Sequence, residues 1–381
     1  MPGNHKESVT NKSINLESVN VIDIGLVLIG LALLIAGGEA LVRGAGTLAS
    51  RAGISPLVIG LVVVSAATSA PELAVTVGAV VGGEPDLAVG NVVGSNIVNI
   101  LFILGLSALV SPLIIKRQLV RFDMPVMVGM SILFLVVSLD GRISLLDGLV
   151  LFGALVLHTV ISIVLGRKEV LPINTKPDEM PLNSKPVSLW LAIILLIAGI
   201  GLLVLGAQFL VTGAVSIATE LGVSSLVIGL TVVAIGTSLP ELATSLIAIR
   251  RGETDMAVGN VVGSNIFNIG VVIGVPAILF GEGIPVAPAA IAIDLPLMLA
   301  AAIALVPLAF TGFFVARWEG ALFVLLYVAY TLYLVLASTQ HDAASGFTTI
   351  MLWFVLPLVA MTLVATTAYE FGLIRGRKSK T

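Results

Sequence analysis

The chain has 381 residues, 58% of them hydrophobic and 11% charged, with a mean hydropathy of +1.14 and a formal net charge of −3. That balance excludes a soluble globular domain, which could not cover so much apolar surface. The absence of cysteine and the presence of only three histidines exclude thiol redox chemistry and Cys-based metal sites.

A bilayer core of about 30 Å takes roughly 20 helical residues to cross, and many runs here reach that length. No alternating barrel pattern is present, so the fold class is an all-α polytopic membrane protein. Residues 1–20 are polar and read as a disordered tail rather than a signal peptide. Eleven spans follow, near 21–44, 54–82, 87–112, 122–139, 145–166, 188–214, 223–250, 256–280, 289–311, 317–337 and 347–368. The first ten form two sets of five, 21–166 and 188–337, joined by a polar linker at 167–187 that carries Pro172, Pro177, Pro181 and Pro186. The eleventh span has no counterpart in the first half, and a basic tail at 369–381 closes the chain.

Charge orients these spans. If they alternate sides, one face collects 16 of the 19 Lys and Arg residues, among them Arg43, Lys116, Arg117, Lys185, Arg250, Arg251 and Arg377. The other face has only Lys6, Lys12 and Arg142. The excess predicts a multi-pass cell-membrane protein with an external N-terminus and a cytoplasmic linker and C-terminus.

Residues 54–100 and 223–269 align without a gap at an offset of 169, and 30 of 47 positions are identical. Five spans separate each position from its copy, an odd number, so the copies cross the membrane in opposite directions. Inverted repeats of this kind place a substrate site near the midplane, where discontinuous helices meet.

Each copy carries one carboxylate in an otherwise apolar stretch, Glu72 after Thr68-Ser69-Ala70-Pro71 and Glu241 after Thr237-Ser238-Leu239-Pro240. Proline removes a helical N–H, so Ala67 and Gly236 lose their donors and nearby carbonyls are free to tilt away. Carboxylates, carbonyls and the hydroxyls of Thr68, Ser69, Thr237 and Ser238 make an all-oxygen set, which suits Ca2+ and Na+ rather than zinc or copper. The next span repeats Gly90-Asn91-Val92-Val93-Gly94-Ser95-Asn96-Ile97-Val98-Asn99 as Gly259-Asn260-Val261-Val262-Gly263-Ser264-Asn265-Ile266-Phe267-Asn268. Ser95 and Asn99 share one helix face, as do Ser264 and Asn268, and the glycines allow close approach to the broken helix.

These paired segments resemble the two alpha repeats of the sodium/calcium exchanger family, prokaryotic type, within the cation/calcium antiporter superfamily. The resemblance covers the first ten spans. It implies a secondary antiporter, not an enzyme, that exports Ca2+ against inward Na+ by alternating access around Glu72 and Glu241. It also implies that main-chain carbonyls of Ser65, Thr68, Ala234 and Thr237, with side chains of Ser69, Ser238, Ser95, Ser264, Asn99 and Asn268, complete the ion sites. No cofactor, nucleic acid or obligate protein partner is implied; the partners are the two ions and the bilayer. Potassium-dependent relatives typically carry Asp where Asn268 stands, and proton-coupled relatives usually carry Glu where Gly94 and Gly263 stand. The alternatives are therefore Ca2+/H+ exchange and K+-dependent Na+/Ca2+ exchange.

Other polar residues receive structural readings. Asn91, Asn96, Asn260 and Asn265 are assigned to helix packing, and Asp123 and Asp294, each two residues before a proline, to helix N-caps. His158 is read as packing on an apolar helix, Glu39 as an ion pair with Arg43, and Glu84, Asp86, Glu253 and Asp255 as solvated loop residues.

Overall fold

The structure, a computed structural model, describes residues 20–169, 188–221, 231–232, 234–310, 313–339, 341, 343–362, 364 and 368. The N-terminal tail, most of the linker, the first part of the seventh span and the basic C-terminal tail lie outside the described residues. Among those described, nine helices are long and apolar enough to cross a bilayer, and two shorter ones joined at a 43° bend supply a tenth crossing.

The first half contains α1 (Val21–Ala52), the bent pair α2 (Pro56–Thr68) and α3 (Ala70–Val81), α4 (Pro85–Val110), α5 (Leu119–Val137) and α6 (Leu145–Glu169). The second contains α7 (Leu189–Glu220), a one-turn piece at Ala234–Gly236, α8 (Leu239–Arg250), α9 (Thr254–Leu279), α10 (Ala290–Pro307) and α11 (Arg317–Ser338). The eleventh predicted span is α12 (Ala343–Thr362), a peripheral helix with no described residue of its apolar window fully buried in protein.

Helices α1 and α7 run further than their sequence predicts. Each has 32 residues, so each is about 48 Å long and must tilt to fit a core of about 30 Å. They pack antiparallel along a seam of small residues spaced by seven. A Cβ at Gly30 would stand 2.7 Å from the Gly206 carbonyl, one at Gly37 2.9 Å from the Gly199 carbonyl, and one at Gly44 2.7 Å from the Ala192 carbonyl. Backbone-to-backbone contact is how helices associate where lipid offers no hydrophobic drive. At one end of the seam Ser216 donates to Asp23; near the other, Glu39 of α1 binds both Arg43 and Arg251, the C-cap residue that follows α8. The predicted Glu39–Arg43 pair is thus part of a three-residue bridge that ties α1 to the core.

Helices α4 and α9, which carry the Gly-Asn motif, are the most enclosed crossings, 78% buried over their apolar windows against 28% and 22% for α1 and α7. Both contain π-helical stretches, Val98–Leu104 and Asn268–Ile273, that begin at or beside the motif's last asparagine. Two short antiparallel pairings clasp the halves together: β1 (Leu113–Ile114) with β4 (Phe314–Val315), and β2 (Arg142–Ile143) with β3 (Ile284–Pro285).

Four assignments from sequence are corrected. Asp123 is not an N-cap: it lies inside continuous helix, makes no capping bond and is fully buried. Its Oδ1 accepts from Ser162 at 2.7 Å and lies 2.9 Å from His158 Nε2, while Gln118 donates to Oδ2. His158 is accordingly a buried hydrogen-bonding partner of Asp123, stacked on Phe122, rather than packing alone. Asp294 also lies within unbroken helix, at the end of the π-helical stretch Ala290–Asp294. Asp255 is not simply solvated, because it pairs with Lys116 at 2.8 Å.

Candidate cation site

The two helix breaks have nearly the same backbone. Ser69 has φ −82° and ψ 7°, and Ser238 has φ −90° and ψ 10°, both in the bridge region between helix and strand that active-site residues often occupy. The structure refines the role expected of the prolines. Pro71 and Pro240 stand in the first turn of α3 and α8, where a missing N–H costs nothing, rather than in a helix interior. Each carboxylate is therefore in the first turn of a new helix, at the positive end of its dipole, a favourable place for an anion. The breaks differ in one bond: Ser69 N–H reaches Ser65, four residues back, whereas Ser238 N–H reaches Ile235, three back. This difference accompanies Ala67 in one copy and Gly236 in the other.

The breaks face each other across the halves. Ser69 donates to Glu241 Oε1 at 3.2 Å, and Ser238 donates to Glu72 Oε1 at 3.2 Å. Both carboxyl groups are at most 1% exposed, and the second oxygen of each, Oε2, has no hydrogen-bond partner. The Ser264 hydroxyl stands beside Glu241 without reaching hydrogen-bond geometry.

Most of the residues expected to complete the ligand set are buried. Ser65, Thr68, Ser69, Ser238, Ser95, Asn99, Ser264 and Asn268 are all buried, and Thr237 is half-buried. The hydroxyls of Ser95 and Ser264, both polar atoms of Asn99, and Asn268 Oδ1 have no partner. Thr68 directs its one hydroxyl proton away from the glutamates, to the Val64 carbonyl at 3.1 Å with the Ser65 carbonyl and Asn260 Oδ1 also in reach, while its oxygen lone pairs and its carbonyl stay open to an ion. Ser65 likewise directs its hydroxyl to Leu61. Ala234 lies on the one-turn piece before the second break.

A buried polar atom without a partner costs about 1–3 kcal/mol, and a bare carboxylate more. Here such atoms concentrate on the two glutamates and the Ser and Asn pairs of the duplicated motifs. A cation placed among them would satisfy several at once. Among the described residues no group of three or more His, Cys, Asp or Glu gathers, so two carboxylates and neutral oxygens are the available donors, a hard-cation chemistry.

Sequence reasoning missed the layer that supports the carboxylates. Asn91 donates to the Glu72 carbonyl at 3.0 Å and to Thr76 at 2.9 Å; Asn260 donates to the Glu241 carbonyl at 3.4 Å and to Ser245 at 3.2 Å. These asparagines hold the first turns that carry the acids. A signal was available, since Asn91, Ser95 and Asn99 are spaced four apart on one face and the spacing recurs in the second copy. The glycine expectation is met on one side: a Cβ at Gly259 would stand 2.6 Å from the Leu57 carbonyl, and one at Gly60 2.5 Å from the Met256 carbonyl, so α9 and α2 touch by backbone. The equivalent neighbours of Gly90 and Gly94 would be Leu226 and Leu230, outside the described residues.

Comparison with known proteins places this arrangement. The family model described as sodium/calcium exchanger protein matches residues 22–164 and 191–336. The chain belongs to the sodium/calcium exchanger family. Members are membrane transporters, not enzymes, and this one is a multi-pass protein of the same kind. It is 30% identical over 330 residues to the sodium/calcium exchanger MaX1 of Methanosarcina acetivorans, covering 78% of this chain and 94% of that one. It is 38% identical over 254 residues to the inner membrane protein YrbG of Escherichia coli strain K12, covering 65% and 77% respectively. A solved structure of the sodium-calcium exchanger NCX_Mj, soaked with Na+ and Ca2+, matches with a TM-score of 0.69 and 33% identity over 81% of this chain and 97% of that chain. The family match ends before α12.

Proposed function

We propose that this exchanger exports Ca2+ in return for Na+ by alternating access around a site built on Glu72 and Glu241. The observation that carries the reading is the pair of bare, buried carboxylate oxygens, one from each half, with each glutamate bridged by the serine of the opposite break. Side chains of Ser69, Ser238, Ser95, Ser264, Asn99 and Asn268 and the carbonyls of Ser65, Thr68, Ala234 and Thr237 complete the ligand set.

Charge sets the coupling. Two carboxylates balance one Ca2+ or a small number of Na+, not a full load of both, so the ions compete. Emptied, the site holds two like charges in a low dielectric, which opposes the return of an unloaded carrier and enforces exchange over uniport. The α1–α7 seam supports a mechanism in which these two tilted helices slide as a pair across the core that holds the site. The antiparallel run of α1 and α7 supports the inverted-repeat reading, and the 16-to-3 cation excess supports a cytoplasmic linker and C-terminus with an external N-terminus. Gly94 and Gly263 disfavour proton coupling, and Asn268 disfavours a potassium requirement.

Binding of radiolabelled Ca2+ to the purified protein tests the site. Na+ displaces the ion in the wild type, and neither Glu72→Gln nor Glu241→Gln retains it. Retention by both variants would move the site elsewhere.

A further inference from the structure

Asparagine is an ambiguous ligand. Its amide presents an oxygen, which attracts a cation, or an NH2, which repels one, and the two ends have almost the same shape. A site that uses asparagine therefore needs something to fix the amide's direction.

For Asn268 the structure contains such a device. Asn96, fourth from the end of the first copy's ten-residue motif and 1% exposed, lies between the two motif helices. Its Nδ2 is 3.5 Å from the main-chain carbonyl of Asn265 and 3.5 Å from Met298 Sδ. A main-chain carbonyl accepts and cannot donate, so the end of Asn96 facing it must be the NH2. The other end, Oδ1, then faces Asn268 and accepts from its Nδ2 at 3.1 Å. Asn268 in turn is left with Oδ1 as its free end, buried and without a partner. Polarity is handed from a fixed carbonyl through one amide to the next.

We infer that Asn96 is a positioning residue that turns the carbonyl oxygen of Asn268 toward the transported cation. The second copy has the matching parts. Asn265 donates to Met127 Sδ at 3.6 Å, as Asn96 does to Met298, and its Oδ1 is buried without a partner, as is the Nδ2 of Asn99. Only one of the two relays is closed. The Asn268 amide is held, while the Asn99 amide is free to present either end, so the two halves of the site are not equivalent although nine of the ten motif residues are the same.

The inference rests on the proposed site, and the test separates the two. Apparent KM for Ca2+ is measured in Na+-loaded proteoliposomes for Asn96→Leu, Asn268→Asp and the double variant. A carboxylate has two acceptor oxygens and no wrong end, so Asn268→Asp removes the need for orientation. Outer-shell partners of metal ligands typically contribute about 10–100-fold in affinity; Asn96→Leu is expected to raise KM about tenfold when Asn268 is intact and less than about twofold when it is combined with Asn268→Asp. An equal change in both backgrounds, or none in the first, overturns the inference, since a packing role would be blind to the side chain at position 268. Asn96→Ala, which adds no bulk, replaces the leucine variant if that one does not insert. Asn268→Leu is the control on the site itself: unaltered KM there removes Asn268 from the ligand set and defeats the proposed site at this residue, whatever Asn96 does.

Discussion

Ser69 and Glu241 are 172 residues apart in sequence and share a hydrogen bond of 3.2 Å, and Ser238 repeats the contact with Glu72. Each half thus holds the acid of the other. Neither glutamate takes its serine partner from its own half of the chain, as a single shared site would require.

The carboxylates supply charge that no neutral isostere replaces. Glu72→Gln and Glu241→Gln each lower Na+-driven Ca2+ uptake by more than about 100-fold, the upper end of what weaker outer contacts contribute. Size-exclusion profiles stay unchanged, because glutamine keeps the shape.

The serine bridges act on the same atoms less directly. Hydrogen bonds to charged groups contribute about 1.5–3 kcal/mol, so Ser69→Ala and Ser238→Ala each raise the apparent KM for Ca2+ by about tenfold or more. A double variant that costs no more than either single one would show that the bridges act as one unit, and a mutant cycle reads this out.

Backbone contact between α2 and α9 leaves no room for a side chain at Gly259. Gly259→Leu would drive carbon into the Leu57 carbonyl and lower stability by about 3 kcal/mol or more, seen as a depressed melting temperature in detergent. Gly153→Leu, at an exposed glycine with nothing within 4 Å, serves as the matched control and leaves the melting temperature in place.

Much of this molecule is legible in its sequence because the relevant physics is local or repeated. Apolar length marks the crossings, and two near-identical interruptions mark the breaks and their acids. The prolines signal a break, but the structure puts them just past it rather than in a helix interior, since Pro71 and Pro240 start the second helical piece. What stays hidden depends on which faces meet. Asp123 and His158 are 35 residues apart on adjacent helices, and no periodicity in either span announces the pair. Asn91 and Asn260 are visible as motif residues, but their hold on the Glu72 and Glu241 carbonyls becomes apparent only once α3 packs on α4 and α8 on α9.

The Asp123–His158 pair has a consequence of its own. Leaving a buried hydrogen-bonding group without its partner costs about 1–3 kcal/mol, while replacing both partners by apolar groups is often nearly neutral. His158→Leu should therefore lower the melting temperature, and Asp123→Leu added to it should recover part of the loss, since Ser162 and Gln118 still lose their acceptor. Additive losses would show that the pair contributes only through packing.

Helix α12 lies beyond the family match, and among the described residues of its apolar window none is fully buried, with Val359 half-buried against the core. Deletion of residues 340–381 is expected to leave Ca2+ uptake within about twofold of the full chain, as for other changes at surfaces without partners. A larger loss, in protein that still inserts, would give α12 a part in transport.

Na+ as the coupling ion has a direct test. Calcium uptake is measured in proteoliposomes loaded with Na+, with K+ or with a proton gradient, one at a time. Uptake is expected with internal Na+ alone, independent of K+, and none is expected without a counter-ion. Uptake driven only by the proton gradient, or free passage of Ca2+ into unloaded vesicles, would contradict it.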